Sequence, residues 1–333
     1  MIGFKCPAIQ RKSCLHTAHF SIYNCISMSP LQFSSLRLSS LRLHFGLLVA
    51  LGAGGQVCLA GEKVPLRFID TLPVVQVQLG DIKADFLLDT GGQIGITVPA
   101  PLINAATKVT LRDEFQKTGD AAGHTFSVQK LTATSVGLGA TQLGPVDGLV
   151  NYKWGLSVGP EGAPEVTKKG VIGLKALSSR NLLLDVPNGS MTLFQKGGAD
   201  APDVTGWHKA PFEYDARGLV VKFMVNGVPA AMSLDSAATS SMIRKDAAIF
   251  TKTRSPCKKG KDEAFCGMTT LSSIESGGVS FGKLPVAVVQ MAGIPFDGLL
   301  GIDFLRTRLV YVDFDGHVLY VRDAPQAKAT GRQ

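Results

Sequence analysis

Apolar and polar residues alternate in strand fashion from Val64 to Val77, and the alternation runs on into Leu79-Gly80-Asp81-Ile82, which reads as a tight hairpin turn. Beyond the turn, Ala84-Asp85-Phe86-Leu87-Leu88 forms an apolar strand that delivers Asp89 into the glycine-rich stretch Thr90-Gly91-Gly92. The same arrangement returns 146 residues later: Val225-Asn226-Gly227-Val228 reads as a hairpin turn, and Ala230-Ala231-Met232-Ser233-Leu234 leads to Asp235-Ser236-Ala237. A third pairing follows at an offset of 128, where Gly170-Val171-Ile172-Gly173-Leu174 matches Gly298-Leu299-Leu300-Gly301-Ile302, and Arg180 and Asp185 match Arg308 and Asp313. Self-similarity at nearly fixed spacing marks an internal duplication of about 125 residues per unit.

Between the paired features, Lys117 to Phe126 reads as a glycine-tipped hairpin and Val128 to Leu138 as further β structure. Tyr152-Lys153-Trp154 falls in a loop, and its aromatic rings suit packing or a contact between units better than a specificity pocket. The segment Gly197 to Asp203 has linker composition, which divides the chain into residues 61–198 and 199–325, followed by a tail at 326–333. A chain of 333 residues that is 45% hydrophobic has room for two cores, and its 37 Gly and 17 Pro favour turn-rich β structure over long helices.

The formal charge of +8 changes little once its distribution is considered. Residues 1–60 hold five basic residues and no acid, which leaves 29 basic against 26 acidic residues in the remainder. So modest a balance gives no nucleic-acid signature. Residues 37–60 read as a secretory signal: Arg37 and Arg42, an apolar run from Phe45 to Ala53, then Cys58-Leu59-Ala60 with small residues at the cleavage positions. An uncleaved anchor is the alternative, although the apolar run is short and glycine-rich for a stable span. Met28 stands just before this signal, so residues 1–27 are read as a stretch that need not be translated. The expected location is extracytoplasmic, periplasmic or secreted. Four of the six cysteines lie at or before position 58, leaving Cys257 and Cys266 as a pair that an oxidising compartment would join. A redox or metal pair is the poorer reading, because no further Cys or nearby His supplies the missing ligands.

A carboxylate that follows Phe86-Leu87-Leu88 has partly dry walls, so its charge must be held by hydrogen bonds or by sharing a proton with a second acid. Asp235, in the same setting, is that acid. No metal-binding spacing, nucleophile elbow or phosphate loop offers a competing chemistry, and neither a metal nor a cofactor is expected.

Asp89-Thr90-Gly91, its counterpart Asp235-Ser236-Ala237, and the Gly-flanked apolar segment late in each half resemble the aspartic proteases of the pepsin and retropepsin type, over roughly residues 65–322. That resemblance implies an all-β fold of two similar closed barrel-like lobes, related by a pseudo-two-fold axis with a central cleft. It implies a catalytic pair, Asp89 and Asp235, with Thr90, Gly91, Ser236, Ala237 and Thr239 supporting it. The hairpin around Gly119, Asp120, Ala121, Ala122 and Gly123 takes the place of the flap that closes over substrate, here without a tyrosine. The implied partner is a peptide or protein substrate, and the implied state is a monomer. Two departures from the family pattern stand out: Ala237 replaces a glycine, and Gly92-Gln93 replaces the usual small residue and hydroxyl. They leave open a second reading, a catalytically silent module that binds peptides or a protein partner through the same cleft.

Overall fold

A computed structural model describes residues 61–119, 123–152, 168–251, 265–291 and 293–325. The leader, the tail at 326–333, Lys153-Trp154 and Cys257 lie outside the described residues. What is described is almost entirely β structure, with four short helices at Ala100–Ala105, Leu174–Leu177, Ala248–Thr251 and Ile302–Leu305. None of the described helices is long and apolar enough to cross a membrane.

The strands pair into a sheet of ten within the first half and a sheet of fourteen that draws on both halves. The repeat read from the sequence is a repeat of pairing. Leu72–Leu79 and Ile82–Asp89 form an antiparallel hairpin, as do Gly218–Val225 and Val228–Leu234. In each half the second of these strands is joined in parallel by the Gly-flanked strand, Gly170–Gly173 beside Ile82–Asp89 and Gly298–Leu300 beside Val228–Leu234. Alternation along the first hairpin buries Val75, Val77, Leu79, Phe86 and Leu88 in one continuous core, and Val221, Phe223, Val225, Met232 and Leu234 do the same in the second. Each such side chain removed from water contributes about 1.5–3 kcal/mol against the entropy of ordering the chain.

The two halves join through a six-strand stretch ordered Glu62–Pro65, Ser190–Gln195, Arg180–Asp185, Arg308–Asp313, Val318–Asp323 and His208–Asp215. At its centre Arg180–Asp185 runs antiparallel to Arg308–Asp313, with Leu183 opposite Tyr311. Those two residues are related by the repeat offset of 128, so the pseudo-two-fold axis passes between them. The outer strands extend the repeat: Lys63 and Pro65 correspond to Lys209 and Pro211, again 146 residues apart.

One expectation needs correction. The run from Val64 to Val77 is not a single strand but three pieces, Glu62–Pro65, Arg67–Ile69 and Leu72–Leu79. Asp70 and Thr71 turn the chain with φ of 48° and 72°, the left-handed pair that a two-residue hairpin requires. The linker-like residues at 197–203 lie between Ser190–Gln195 and His208–Asp215 and belong to no strand.

Candidate active site

Asp89 is the last residue of its strand, aligned with Gly173 on the parallel neighbour, and Asp235 follows directly on Leu234, its N–H donating to the Leu300 carbonyl at 2.9 Å. Each aspartate therefore stands at the C-terminal end of the second strand of its hairpin. The loops beyond them are seated over the second glycine of each Gly-flanked strand. A Cβ on Gly173 would stand 2.0 Å from the Ile94 carbonyl oxygen, and one on Gly301 would stand 2.6 Å from the Ser240 carbonyl carbon. Only glycine lets these loops lie so close.

The two loops are locked to each other by the residue after each aspartate. Thr90 N–H donates to Ser236 Oγ at 3.1 Å, and Ser236 N–H donates to Thr90 Oγ1 at 3.0 Å. Each hydroxyl then reaches back across the axis, Thr90 Oγ1 to the Leu234 carbonyl at 2.8 Å and Ser236 Oγ to the Leu88 carbonyl at 2.6 Å. Thr90 and Ser236 are fully buried, so four hydrogen bonds out of reach of solvent hold the turns in register.

Within each loop the carboxylate accepts N–H groups from the residues two and three positions on. Asp235 Oδ1 accepts from Ala237 N at 2.8 Å and Ala238 N at 3.1 Å, and Asp89 accepts from Gly91 and Gly92. The loops also touch across the axis, since a Cβ on Gly91 would stand 2.7 Å from Asp235 Cγ. Burial pushes the Asp89 carboxyl up to about 8, the nearby Asp235 charge acting in the same direction and the Gly92 and Gly91 N–H groups against it. Burial pushes Asp235 up to about 6, opposed by the N–H groups of Ala237 and Ala238. The two residues keep some exposed surface, so a water can reach carboxyls whose flanks are dense protein. Raised acids of this kind keep a proton at a pH at which an isolated aspartate is fully ionised.

Thr90, Gly91, Ser236 and Ala237 lie in or directly against the two aspartate loops, whereas Thr239 is exposed and makes none of the four cross-axis bonds. Ala237 is not strained: its φ is not positive, and its side chain packs beside Leu72, Val74, Leu87 and Val171. Two contributors escaped the sequence reading. Ser241 donates from both N–H and Oγ to Asp303 Oδ1, at 2.8 and 2.6 Å, while its Oγ accepts Gly301 N–H at 2.9 Å, which ties the second loop to the following helix. Arg306 donates to the Thr71 carbonyl at 3.0 Å, tying the end of that helix to the Asp70-Thr71 turn of the other half. An acid just inside a short helix was the only sequence signal for the first, and no signal marked the second.

The hairpin expected at 117–126 is longer than predicted, Val109–Gly119 paired with Thr125–Ala133, with an irregularity between Leu111 and Phe115. Gly119 and Gly123 flank its tip, and Asp120, Ala121 and Ala122 lie outside the described residues. Tyr152 packs on this hairpin, its ring 5.3 Å from Phe126 and its hydroxyl 3.4 Å from Thr118 Oγ1. Cys266 is buried in Phe265–Leu271, and its expected partner Cys257 is among the undescribed residues. A separate hollow of about 530 Å³ on the second hairpin is lined by Lys222, Met224, Pro229, Glu275 and Asp297. It includes no residue of either aspartate loop.

Residues 221–304, which contain Asp235 and the second Gly-flanked strand, match the aspartyl protease family model. A search of curated protein sequences finds no match. Among solved structures the chain is similar to the aspartic proteinase from Irpex lacteus, with a TM-score of 0.53 and 17% identity over 81% of this chain and 99% of that one. It is also similar to basic 7S globulin from soybean, with a TM-score of 0.52 and 11% identity over 80% of this chain and 95% of that one. The duplicated halves, the paired aspartate loops and these likenesses converge: the chain has the bilobal fold of the pepsin-like aspartic proteinases, and its residues 221–304 match the aspartyl protease family model.

Proposed function

We propose that this chain is an aspartic-type endopeptidase in which Asp89 and Asp235 activate a water between them. The observation that supports it most is the reciprocal Thr90–Ser236 lock, which brings two carboxyls with raised pKa side by side from the two halves. One proton is shared. The ionised aspartate takes a proton from the water as it attacks the peptide carbonyl, and the protonated one hydrogen-bonds the carbonyl oxygen. The tetrahedral intermediate collapses when the leaving nitrogen receives a proton, so no covalent bond to the enzyme forms. Acid–base assistance of this kind contributes on the order of 10² to 10⁴ in rate. The remainder must come from binding an extended peptide and orienting the water, for which the hairpin at 109–133 is the proposed cover. The proposed setting is extracytoplasmic, consistent with the leader and with a Cys257–Cys266 disulfide.

A second reading, peptide binding without cleavage, is favoured by Gln93, which leaves the first loop without a hydroxyl at the position of Thr239, and by the exposure of Thr239 itself in the second loop. Mature protein incubated with a mixed peptide library from acidic to neutral pH separates the two. Cleavage that a statine-type transition-state mimic blocks is the expected result; capture of peptides with no new termini would establish the silent reading instead.

A further inference from the structure

The hollow of about 530 Å³ on the Gly218–Val225 and Val228–Leu234 hairpin has an apolar floor and an acid at each of two opposite rims. Met224, Pro229 and Ala231 form the floor, and Met224 is 43% exposed. Glu275 belongs to Ile274–Ser276, which pairs with one side of the hairpin and sets Glu275 opposite Met224. Asp297 stands on the other side, where its carboxylate accepts the Ala231 N–H at 2.9 Å and its own N–H donates to the Ala231 carbonyl at 2.7 Å. Three interstrand steps separate the two acids, about 14 Å. Among the described residues neither makes an ion pair: Glu275 accepts the Ser273 hydroxyl, and Arg244, the cation near Asp297, is bound to Asp246. Lys222, which also lines the hollow, is bound to Glu213.

The first half builds the same framework with different side chains. The offset of 146 sets Gln76, Gln78, Lys83 and Asp85 against Lys222, Met224, Pro229 and Ala231. Strand pairing sets Gly137, opposite Gln78, against Glu275, and Lys169, directly before its Gly-flanked strand, stands against Asp297. The Gln142 side chain covers Gly137, where a Cβ would stand 2.9 Å from Nε2, and Asp85 is paired with Arg67. The framework therefore forms without either acid, and an apolar floor between two uncompensated carboxylates is particular to the second half. That floor is tied to the aspartate loop. Ala231 lies four residues before Asp235, about 13 Å along an extended chain. It packs on the cluster that holds Phe296 and Ala238, and the Ala238 N–H donates to Asp235 Oδ1 at 3.1 Å.

We propose that this hollow is a second binding site, for a basic segment of the polypeptide that occupies the cleft. An extended chain rises about 3.3 Å per residue, so two Lys or Arg residues four apart span about 13 Å and match the two rims. Their aliphatic stems cover Met224 and Pro229 while their cationic heads meet Glu275 and Asp297. The inference rests on reading the cleft as a peptide groove, which cleavage and silent binding both require, and it is tested in Asp89→Asn protein so that turnover plays no part. A fluorescein-labelled Ser-Lys-Ala-Ser-Ala-Lys-Ser peptide is titrated by anisotropy at low salt, while ¹³C-methyl methionine NMR follows Met224, assigned through Met224→Leu. Binding shifts the Met224 methyl. Glu275→Gln and Asp297→Asn, which keep the bonds to Ser273 and Ala231, each weaken binding about threefold and together about tenfold. Should Asp297→Asn fail to fold by circular dichroism, Met224→Lys places a cation at an exposed position of the floor and weakens binding at least as much. In the parent protein, joining this segment to a cleaved peptide lowers KM, and the advantage disappears when both acids are neutralised. Absence of binding, an unmoved Met224 methyl, or equal affinity in the doubly neutralised variant would overturn the proposal. So would a dimer in sedimentation that Glu275→Gln disperses, which would assign the hollow to a second copy of the chain.

Discussion

The lock between the aspartate loops makes a quantitative demand on stability. Thr90→Val removes one hydroxyl while keeping its volume, and with it the acceptor for Ser236 N–H and the donor to the Leu234 carbonyl. Each lost bond costs about 1 kcal/mol net, and a buried N–H left without an acceptor adds about 1–3 kcal/mol, which gives roughly 3–5 kcal/mol for the substitution. Ser236→Ala removes the mirror-image pair, the acceptor for Thr90 N–H and the donor to the Leu88 carbonyl, and has a similar cost. The sum approaches the whole stability of an ordinary domain, about 5–15 kcal/mol. The two are not independent, however, because each side chain bonds the other residue's backbone, and once one lock is lost the turns can separate and hydrate. The double variant should therefore cost less than the two singles together, with a coupling of about 1 kcal/mol or more. Urea unfolding followed by circular dichroism at a single neutral pH measures all four corners of the cycle. Single variants costing less than about 0.5 kcal/mol, or strict additivity, would refute the reasoning, since the loops would then be held independently of one another.

Two further outcomes follow from the same geometry. Both dyad carboxyls titrate above the ordinary aspartate value of 3.8, so between that value and their folded values of about 6 and about 8 the native state binds more protons than the unfolded one. Stability is therefore lost as pH rises through that window, and Asp89→Asn should show a shallower loss and a net gain of a few kcal/mol at pH 8, read from urea midpoints at pH 4.5 and 8. Gly173→Ala places a Cβ 2.0 Å from the Ile94 carbonyl oxygen, where backbone rather than a flexible side chain must move, and should destabilise by roughly 3 kcal/mol in the same assay.

Much of this site was legible because the duplication preserved spacing where geometry tolerates no drift. Asp89 and Asp235 with their preceding turns stand at one offset, 146, and the Gly-flanked strands at another, 128, and in both halves the second glycine has the aspartate loop packed directly upon it. The pairs Arg180/Arg308 and Asp185/Asp313 proved to be the ends of the two strands that meet at the pseudo-two-fold axis. The six-strand stretch itself could not be read, since alternation identifies a strand without naming its neighbour. The Asp70-Thr71 turn was missed because no glycine marks it and the flanking residues alternate as an unbroken strand would. Arg306 with the Thr71 carbonyl is a contact between residues 235 positions apart that nothing in local pattern encodes, and Asp303 just inside its helix does not name Ser241, 62 positions away, as its partner.

Steady-state kinetics of Asp89→Asn and Asp235→Asn on a peptide cleaved by the parent protein test the central claim most directly, that carboxyls from the two halves act as one catalytic group. Each substitution replaces an acid with an isosteric amide that cannot exchange the shared proton. The account predicts that either one alone lowers kcat by about 10² to 10⁴ with little change in KM. Full turnover in either variant would contradict it.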